Sequence, residues 1–183
     1  LNFNQNLLSG EIIFETLNEI NIFICSCFLI FLLGIIDDKI NLNPLKKFIF
    51  LFLILGLFMY FDDGLIIENL KFSFLKNTIN LGSYSNIFTI FCFLVFINAF
   101  NMFDGINLQT SIYSLIILIY FFSLNQSSLL ISVLIIFILF FMYLNHFNKS
   151  FLGDSGTLLI SFILSVFFIK LFNSEKIIYS DEI

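Results

Sequence analysis

The stretch NIFTIFCFLVFINAFNMFD, residues 86–104, decides the fold class of this chain. It is an almost unbroken apolar run that ends in an aspartate, and a helix needs about 20 mainly apolar residues to cross a bilayer. Over such a length in lipid, a helix satisfies every backbone hydrogen bond within its own segment. The stretch therefore predicts a transmembrane helix with an acidic residue at one end.

The composition extends this prediction to the whole chain of 183 residues, which is 60% hydrophobic and only 11% charged. A soluble domain is about 45–50% apolar and about 25% charged. The balance is typical of an integral membrane protein, with the lipid bilayer as its surroundings. The chain has no basic patch of the kind that binds nucleic acid, so we expect no nucleic-acid partner.

Six apolar runs, separated by polar gaps, predict the architecture. We expect an all-α, polytopic transmembrane helix bundle of about six spans that forms one domain. The predicted spans are residues 21–36, 45–61, 86–103, 110–124, 128–144 and 156–172. Between the second and third spans, LIIENLKFSFL (residues 65–75) partly alternates between apolar and polar residues, which is typical of a short strand or an interfacial segment.

Aspartates stand at the ends of three of these runs. Asp37 and Asp38 follow the first run, Asp104 follows the third, and Asp154 precedes the sixth. Two spans separate each position from the next, and two crossings return a chain to the side that it left. We therefore expect the aspartates to collect on one membrane face, where they would share a metal ion and a phosphorylated substrate.

The adjacent carboxylates Asp37 and Asp38 allow two interpretations. As solvated residues they would simply end the first span, with Asp38 capping the next helix. As a functional pair they offer hard oxygen ligands, because adjacent carboxylates repel one another unless a cation neutralises them. Mg²⁺ is such a cation, and it typically takes one or two carboxylates together with substrate phosphates.

Asp104 and the asparagines before it form a polar stripe. Asn98, Asn101 and Asp104 are spaced three residues apart, so a helix places them on one face. Polar side chains near a membrane edge usually face a cavity or a partner. The alternative for Asp104 is an ordinary turn with Gly105.

The segment FLGDSG, residues 151–156, combines a helix start with an aspartate. Either Asp154 or Ser155 would cap the last span, and the free N–H groups of that helix start, flanked by glycines, would also suit a phosphate. Lys47, at the start of the second span, either snorkels to the interface or contacts a phosphate. His146, the single histidine, is either a plain loop residue or a ligand contact on the same face.

Three strings together resemble one enzyme family. LGIIDDKINLNPLKKF (residues 33–48) resembles a G-x-x-D-D segment with a downstream Pro and Lys. INAFNMFDGIN (residues 97–107) resembles an N-A-x-N-x-x-D-G segment, and LNHFNKSFLGDSGTLLISF (residues 144–162) resembles an N-…-F-x-G-D-S-G-T segment. In this order the strings are similar to those of the polyprenyl-phosphate N-acetylhexosamine-1-phosphate transferases, glycosyltransferase family 4, over roughly residues 20–175.

The resemblance implies a reaction and a set of roles. A HexNAc-1-phosphate would move from a UDP-linked donor to polyprenyl phosphate, such as undecaprenyl phosphate, with release of UMP. The family's dependence on Mg²⁺, with Mn²⁺ as an alternative, implies a metal ligand at Asp154. Catalytic roles fall to Asp37, Asp38 and Asp104, and substrate-binding roles to Asn98, Asn101, Asn107, Asn145 and Lys47.

The resemblance also implies where the protein works. It would lie in the bacterial inner membrane, with the site on the cytoplasmic side of the core spans 21–173 and with residues 1–20 and 174–183 on the other side. The activity would serve cell-envelope polysaccharide or peptidoglycan synthesis. A homodimer is a further expectation.

The chain also departs from the family pattern. Asn107 and Leu108 stand where a second Asp and a Gly are usual, and the family's histidine-rich loop and N-terminal Pro-Arg-Gly-Gly region have no counterpart. We therefore expect a fragment of a larger transferase bundle, truncated at both ends. Two alternatives stay open: an inactive homologue that keeps the fold, and a membrane ion transporter that binds ions through its acidic residues.

Overall fold

The computed structural model describes residues 14, 16–70, 78–103, 108–124 and 129–174. In this part of the chain the backbone forms six α-helices: α1 (Leu17–Ile40), α2 (Pro44–Phe61), α3 (Ser85–Met102), α4 (Gln109–Ser123), α5 (Leu129–His146) and α6 (Gly153–Asn173). The all-α polytopic bundle is confirmed, since five of these helices are long and apolar enough to cross a membrane. The assignment of residues 1–183 to one domain stays a prediction, because residues 1–13, 15 and 175–183 lie outside the described residues.

The fourth predicted span, residues 110–124, corresponds to α4, which has 15 residues. At 1.5 Å per residue such a helix is about 22 Å long, whereas the hydrocarbon core of a bilayer is about 30 Å thick. A span of this length requires local thinning of the bilayer or close support by its neighbours. Support is present, because α4 packs against both α5 and α6.

The helix ends differ from the predicted spans where charged residues continue the helix. Helix α1 runs to Ile40, so Asp37 and Asp38 lie in its last turn rather than in a loop. Helix α6 begins at Gly153, so Asp154 lies in its first turn. Spanning helices extend through the headgroup region, which adds about 10–15 Å to the hydrocarbon core, so an apolar run underestimates their length.

Two short strands lie between α2 and α3. Strand β1 (Asn69–Leu70) pairs antiparallel with β2 (Ile79–Asn80), and single 3₁₀ turns stand at Asp63–Leu65 and Gly82–Tyr84. Strand β1 falls within the segment 65–75 that alternates in sequence, and residues 71–77 lie outside the described residues. This small pair adds a polar connection and leaves the helical architecture unchanged.

Helix α6 forms the centre of the bundle and packs against α1, α3 and α4. Near its middle, Phe162 contacts the rings of Phe23, Phe58 and Phe93, with centroid distances of 6.0, 5.3 and 6.1 Å. Lipid tails are as apolar as these rings, so the helices associate through close packing rather than through the hydrophobic effect. The packing of α6 therefore fixes the positions of the residues at its two ends.

Polar contacts gather at both ends of the bundle. At one end Asp38 of α1 accepts the Asp154 N–H of α6, and at the other Lys170 of α6 donates to Glu19 of α1. Helices α1 and α6 are therefore antiparallel neighbours, with aromatic packing between two polar ends. We call the end with Asp154 the site end and the end with Lys170 the far end.

Candidate active site

The site end is organised around the ammonium group of Lys47, which lies in the first turn of α2. Its Nζ lies 2.6 Å from Asp37 Oδ2 and 3.2 Å from Asp154 Oδ1, and the lysine side chain is 11% exposed. Three helices thus contribute one charged group each, and we call Lys47, Asp37 and Asp154 the site cluster. Lys47 is thus paired with two carboxylates, and both its position at the interface and its contact with a phosphate stay predictions.

Asp37 holds the connection that presents Lys47. The residue is buried, and its Oδ1 accepts a hydrogen bond from the Leu42 N–H at 2.9 Å. Asn41 ends α1 with φ of 51°, and Asn43 caps α2 by accepting an N–H of its first turn at 3.1 Å. The short connection is therefore fixed at both helix ends, and it places Lys47 beside the carboxylates.

Asp38 caps a helix that begins more than a hundred residues further along the chain. Its Oδ1 accepts the Asp154 N–H at 2.8 Å, and its Oδ2 accepts the Ser155 N–H at 3.1 Å. The N–H groups at the start of a helix have no partner within that helix, and a negative charge beside them is stabilising. The expectations that Asp38 caps α2, and that Asp154 or Ser155 caps α6, are therefore wrong. A phosphate at these N–H groups would have to replace the Asp38 carboxylate.

Two glycines allow α1 and the start of α6 to approach each other. A Cβ on Gly34 would lie 2.3 Å from Ser155 Cα, and a Cβ on Gly153 would lie 3.1 Å from both carboxylate oxygens of Asp38. Gly153 also has φ of +64°, a conformation that favours glycine. Steric contact thus explains the presence of glycine at positions 34 and 153, because a side chain at either position would push the site residues apart.

Asn101 is tied to α6, whereas Asn98 bonds to its own helix. The Thr157 hydroxyl donates to Asn101 Oδ1 at 2.6 Å, and Thr157 is fully buried. Asn98 Nδ2 donates to Leu94 O at 2.8 Å. Asn101 therefore joins α3 to Thr157 of α6, and no sequence motif singled out Thr157.

Asn145 fastens two connections together at the same end. It is 3% exposed, its Oδ1 accepts the Leu108 N–H at 2.9 Å, and its Nδ2 donates to Ser150 O at 2.7 Å. Leu108 has φ of 68°, a left-handed conformation that costs an ordinary residue roughly 1–2 kcal/mol. Glycine would adopt this conformation without that strain. Asn145 acts as a holding residue, with both ends of its amide engaged.

The sequence pattern of the family described as Glycosyl transferase family 4 matches residues 20–172. The match begins in α1, ends in α6 and includes the whole site cluster. The chain belongs to glycosyl transferase family 4. A comparison with curated proteins gives no match. The family is one of transferases, and the apolar helices make this member of it a multi-pass membrane protein.

The other residues predicted for the site lie either outside the described residues or outside the site cluster. Asp104 and Asn107 lie outside the described residues. His146 is exposed, and its ring packs edge-on against Phe147 with centroids 5.2 Å apart. The predicted residues that the structure brings into direct contact are Asp37, Asp38, Lys47 and Asp154.

The site cluster of this family 4 member contains carboxylate oxygens that suit a divalent cation. Among the described residues, no three acidic, histidine or cysteine side chains converge on one point. Asp37 Oδ2 and Asp154 Oδ1 nevertheless contact the same cation, the Lys47 ammonium. Mg²⁺ in proteins takes one or two carboxylates and completes its shell with waters and substrate phosphates. These two carboxylates therefore fit a magnesium or manganese ion.

A second lysine-centred cluster, missed by the sequence reasoning, stands at the far end. Lys170 Nζ lies 2.5 Å from Glu19 Oε2 and 2.9 Å from Asp62 Oδ2. We call these three residues the far-end cluster. The signal was available, because a lysine within an apolar run needs a partner, and Lys170 lies within the run of residues 156–172.

Proposed function

We propose that this family 4 member transfers a HexNAc-1-phosphate from a UDP-linked donor to polyprenyl phosphate, such as undecaprenyl phosphate, and releases UMP. The site cluster carries the proposal, since it joins one ammonium and two carboxylates from three helices at one end of the bundle. Family membership supports the reaction class. The apolar surface of the bundle suits an acceptor that is itself a membrane lipid.

The proposed reaction brings two anionic substrates together. An acceptor phosphate oxygen forms a bond to the sugar-linked phosphorus of the donor, and the bond from that phosphorus to UMP breaks. Charge on the transferred group must be neutralised throughout. Lys47 supplies an ammonium for this purpose, and a magnesium or manganese ion held by Asp154 and Asp37 supplies further positive charge when bound.

Asp38 has a holding role in this proposal beside the catalytic role that the resemblance implies. Its carboxylate fixes the Asp154 and Ser155 N–H groups, so it sets the position of the Asp154 side chain. Asn101 and Asn145 hold the neighbouring backbone in the same way. Substrate binding by these asparagines and by Asn98, and catalysis by Asp104, stay predictions.

An ion transporter has less support from the geometry. Such a protein uses ionisable groups along a pathway through the bilayer, whereas Asp37, Asp38 and Asp154 lie in the last or first turns of their helices. The far-end cluster also lies at helix ends. An inactive homologue with the same fold stays an alternative, which the experiment below separates from an enzyme.

We place the protein in the bacterial inner membrane, with the site end towards the cytoplasm and with a role in cell-envelope polymer synthesis. A UDP-sugar is charged and does not cross a bilayer unaided, so the site must face the compartment that holds the donor. A homodimer stays a prediction.

The test is UMP release by the purified chain in detergent micelles, with a panel of UDP-HexNAc donors, undecaprenyl phosphate and Mg²⁺. Asp154→Ala should lower the rate about 10²-fold or more, the usual effect of removing a group that stabilises transition-state charge. Asp63→Ala removes an exposed carboxylate beside Asp62 at the far end and should leave the rate unchanged. Equal rates for Asp154→Ala and the wild type would contradict the proposal that Asp154 is a metal ligand. Folded wild-type chain that releases no UMP would favour either the inactive homologue or the truncated transferase bundle that the sequence predicts.

A further inference from the structure

The Lys47 ammonium lies between two oxygens that have the character of metal ligands. Its Nζ is 2.6 Å from Asp37 Oδ2 and 3.2 Å from Asp154 Oδ1. An ammonium and a divalent cation both bind carboxylate oxygens, and at such distances the two cations would repel each other strongly. Lys47 and a divalent cation therefore compete for one position.

The charge balance of the site end favours the divalent cation. Asp37, Asp38 and Asp154 carry three negative charges, and Lys47 contacts two of these carboxylates. Lys39 and Lys46 at the same end are exposed, so water and salt screen their charges. Both oxygens of Asp38 already accept N–H groups of α6, and Asp37 Oδ1 accepts the Leu42 N–H. Asp37 Oδ2 and Asp154 Oδ1 are therefore the oxygens best able to exchange one cation for another.

Lys47 can leave this position by side-chain rotation alone. It lies in the first turn of α2 beside the exposed Leu45 and Lys46. The Asp154 side chain is 35% exposed, so the cluster is open on that side, whereas the Asp37 side chain is 6% exposed. A lysine has a flexible four-carbon stem and an ammonium without a fixed bonding direction. Exchange therefore needs no movement of a helix.

We propose that Lys47 is an exchangeable counter-ion of the site cluster. It neutralises Asp37 and Asp154 until a divalent cation takes their oxygens, and its ammonium then turns to a substrate phosphate. The phosphate step rests on the proposed function, whereas the exchange rests on the geometry of the cluster. One lysine would thus keep a buried carboxylate paired before the cation binds and contact an anionic substrate afterwards.

Mn²⁺ binding in the absence of substrate tests the competition between Lys47 and a divalent cation. The bound fraction is measured as the loss of the electron paramagnetic resonance signal of free Mn²⁺. Lys47→Met keeps most of the side-chain volume and removes the competing charge, so the affinity of the full chain for Mn²⁺ should rise on the order of tenfold. Lys46→Met is the matched control, because it removes the same charge from the neighbouring exposed residue. It should change the affinity less than about twofold, because the charge of an exposed lysine is screened.

Lysine labelling followed by mass spectrometry tests the movement of Lys47 itself. In the wild-type chain, Lys47 should react slowly with an amine-specific reagent and several-fold faster once Mn²⁺ is present. Lys46 should react quickly in both conditions. Lys170 should react slowly in both conditions, because its side chain is 8% exposed. Mn²⁺ should not change this rate, because the partners of Lys170 lie at the far end.

The exchange is overturned if Lys47→Met binds Mn²⁺ no more tightly than Lys46→Met, or if Mn²⁺ leaves the labelling of Lys47 unchanged. Lys47→Gln removes the same charge and replaces Lys47→Met if that variant elutes as an aggregate. Adding Asp154→Asn to either variant should abolish the gain in affinity, which locates the bound ion. A chain that shows the exchange but releases no UMP would contradict the proposed function alone.

Discussion

The two ends of the bundle carry the same chemical arrangement in different settings. The site cluster and the far-end cluster each place one ammonium between two carboxylates. The distances are alike, at 2.6 and 3.2 Å for the site cluster and 2.5 and 2.9 Å for the far-end cluster. The two lysine side chains are also similarly covered, with exposures of 11% and 8%.

The difference between the clusters lies in access. Asp154 of the site cluster is 35% exposed, whereas the far-end carboxylates are 18% and 2% exposed. At the far end the Phe14 ring covers the lysine at 5.2 Å, and Asn173 closes the turn by donating to Gly64 O and Ile66 O. An open cluster can exchange its partners for a cation and a phosphate. A closed cluster holds helices together.

The largest effect should come from Lys170→Met at the far end. The substitution leaves the carboxylates of Glu19 and Asp62 without their ammonium, and removing one partner from a buried ion cluster costs about 3–5 kcal/mol. Thermal or denaturant unfolding in micelles measures this loss. The triple variant Lys170→Met, Glu19→Gln and Asp62→Asn should recover part of it, because the far-end cluster then contains no charged group. A loss below about 1 kcal/mol would show that this cluster is as open to water as the site cluster.

Gly34→Ala should act on the site end through α1 and α6. The new Cβ would lie 2.3 Å from Ser155 Cα, so the helices must separate, at a cost of about 1–3 kcal/mol. UMP release should fall together with stability, because the aspartates of α1 move away from Asp154. The control is Gly56→Ala in α2, where a Cβ meets nothing within 4 Å. Similar results for both variants would mean that this close approach does not hold the site.

Asn145→Asp should weaken one of the two bonds that Asn145 makes. The aspartate keeps an acceptor for the Leu108 N–H, but it loses the donor to Ser150 O and adds a buried charge, which should cost about 1–3 kcal/mol. UMP release should fall mainly through kcat, with KM for the donor nearly unchanged. A rise in KM with unchanged kcat and stability would instead show that Asn145 binds substrate directly.

Leu108→Gly should have the smallest effect and the opposite sign. Glycine adopts the φ of 68° found at Leu108 without strain, so the chain should gain up to about 1 kcal/mol. Asn41→Gly, at φ of 51°, should gain less, because asparagine tolerates this conformation. A destabilised Leu108→Gly variant would show that packing of the leucine outweighs its backbone strain.

The helices could be predicted because the bilayer imposes a length that an apolar run reveals. Their ends were less predictable, because charged residues such as Asp37 and Asp38 continue α1 into the headgroup region. The burial of Asp37 could have been predicted from the sequence. Asp37 follows Ile30, Leu33 and Gly34 at spacings of seven, four and three residues, and all four are buried on one helix face.

The side-chain contacts within the site could not be predicted from the individual apolar runs. Parity of crossings places Asp38 and Asp154 on one face, but it does not show that Asp38 caps α6 through backbone N–H groups. Such a contact depends on the phase and axial position of two helices, which the close approach at Gly34 determines. The far-end cluster was detectable in part, because Lys170 stands in an apolar run and requires a buried partner.

Of the two similar lysine clusters, only the site cluster should take part in transfer. The most direct test measures the rate of UMP release per folded molecule for Lys47→Met and for Lys170→Met, the same substitution at each end. We predict a loss of about 10²-fold for Lys47→Met and a rate within about twofold of the wild type for Lys170→Met. Lys170 lies sixteen residues after Asp154 in α6, about 24 Å along the helix, and salt solution at each end screens charges over about 10 Å. Equal losses for both variants, or a larger loss for Lys170→Met, would contradict this prediction.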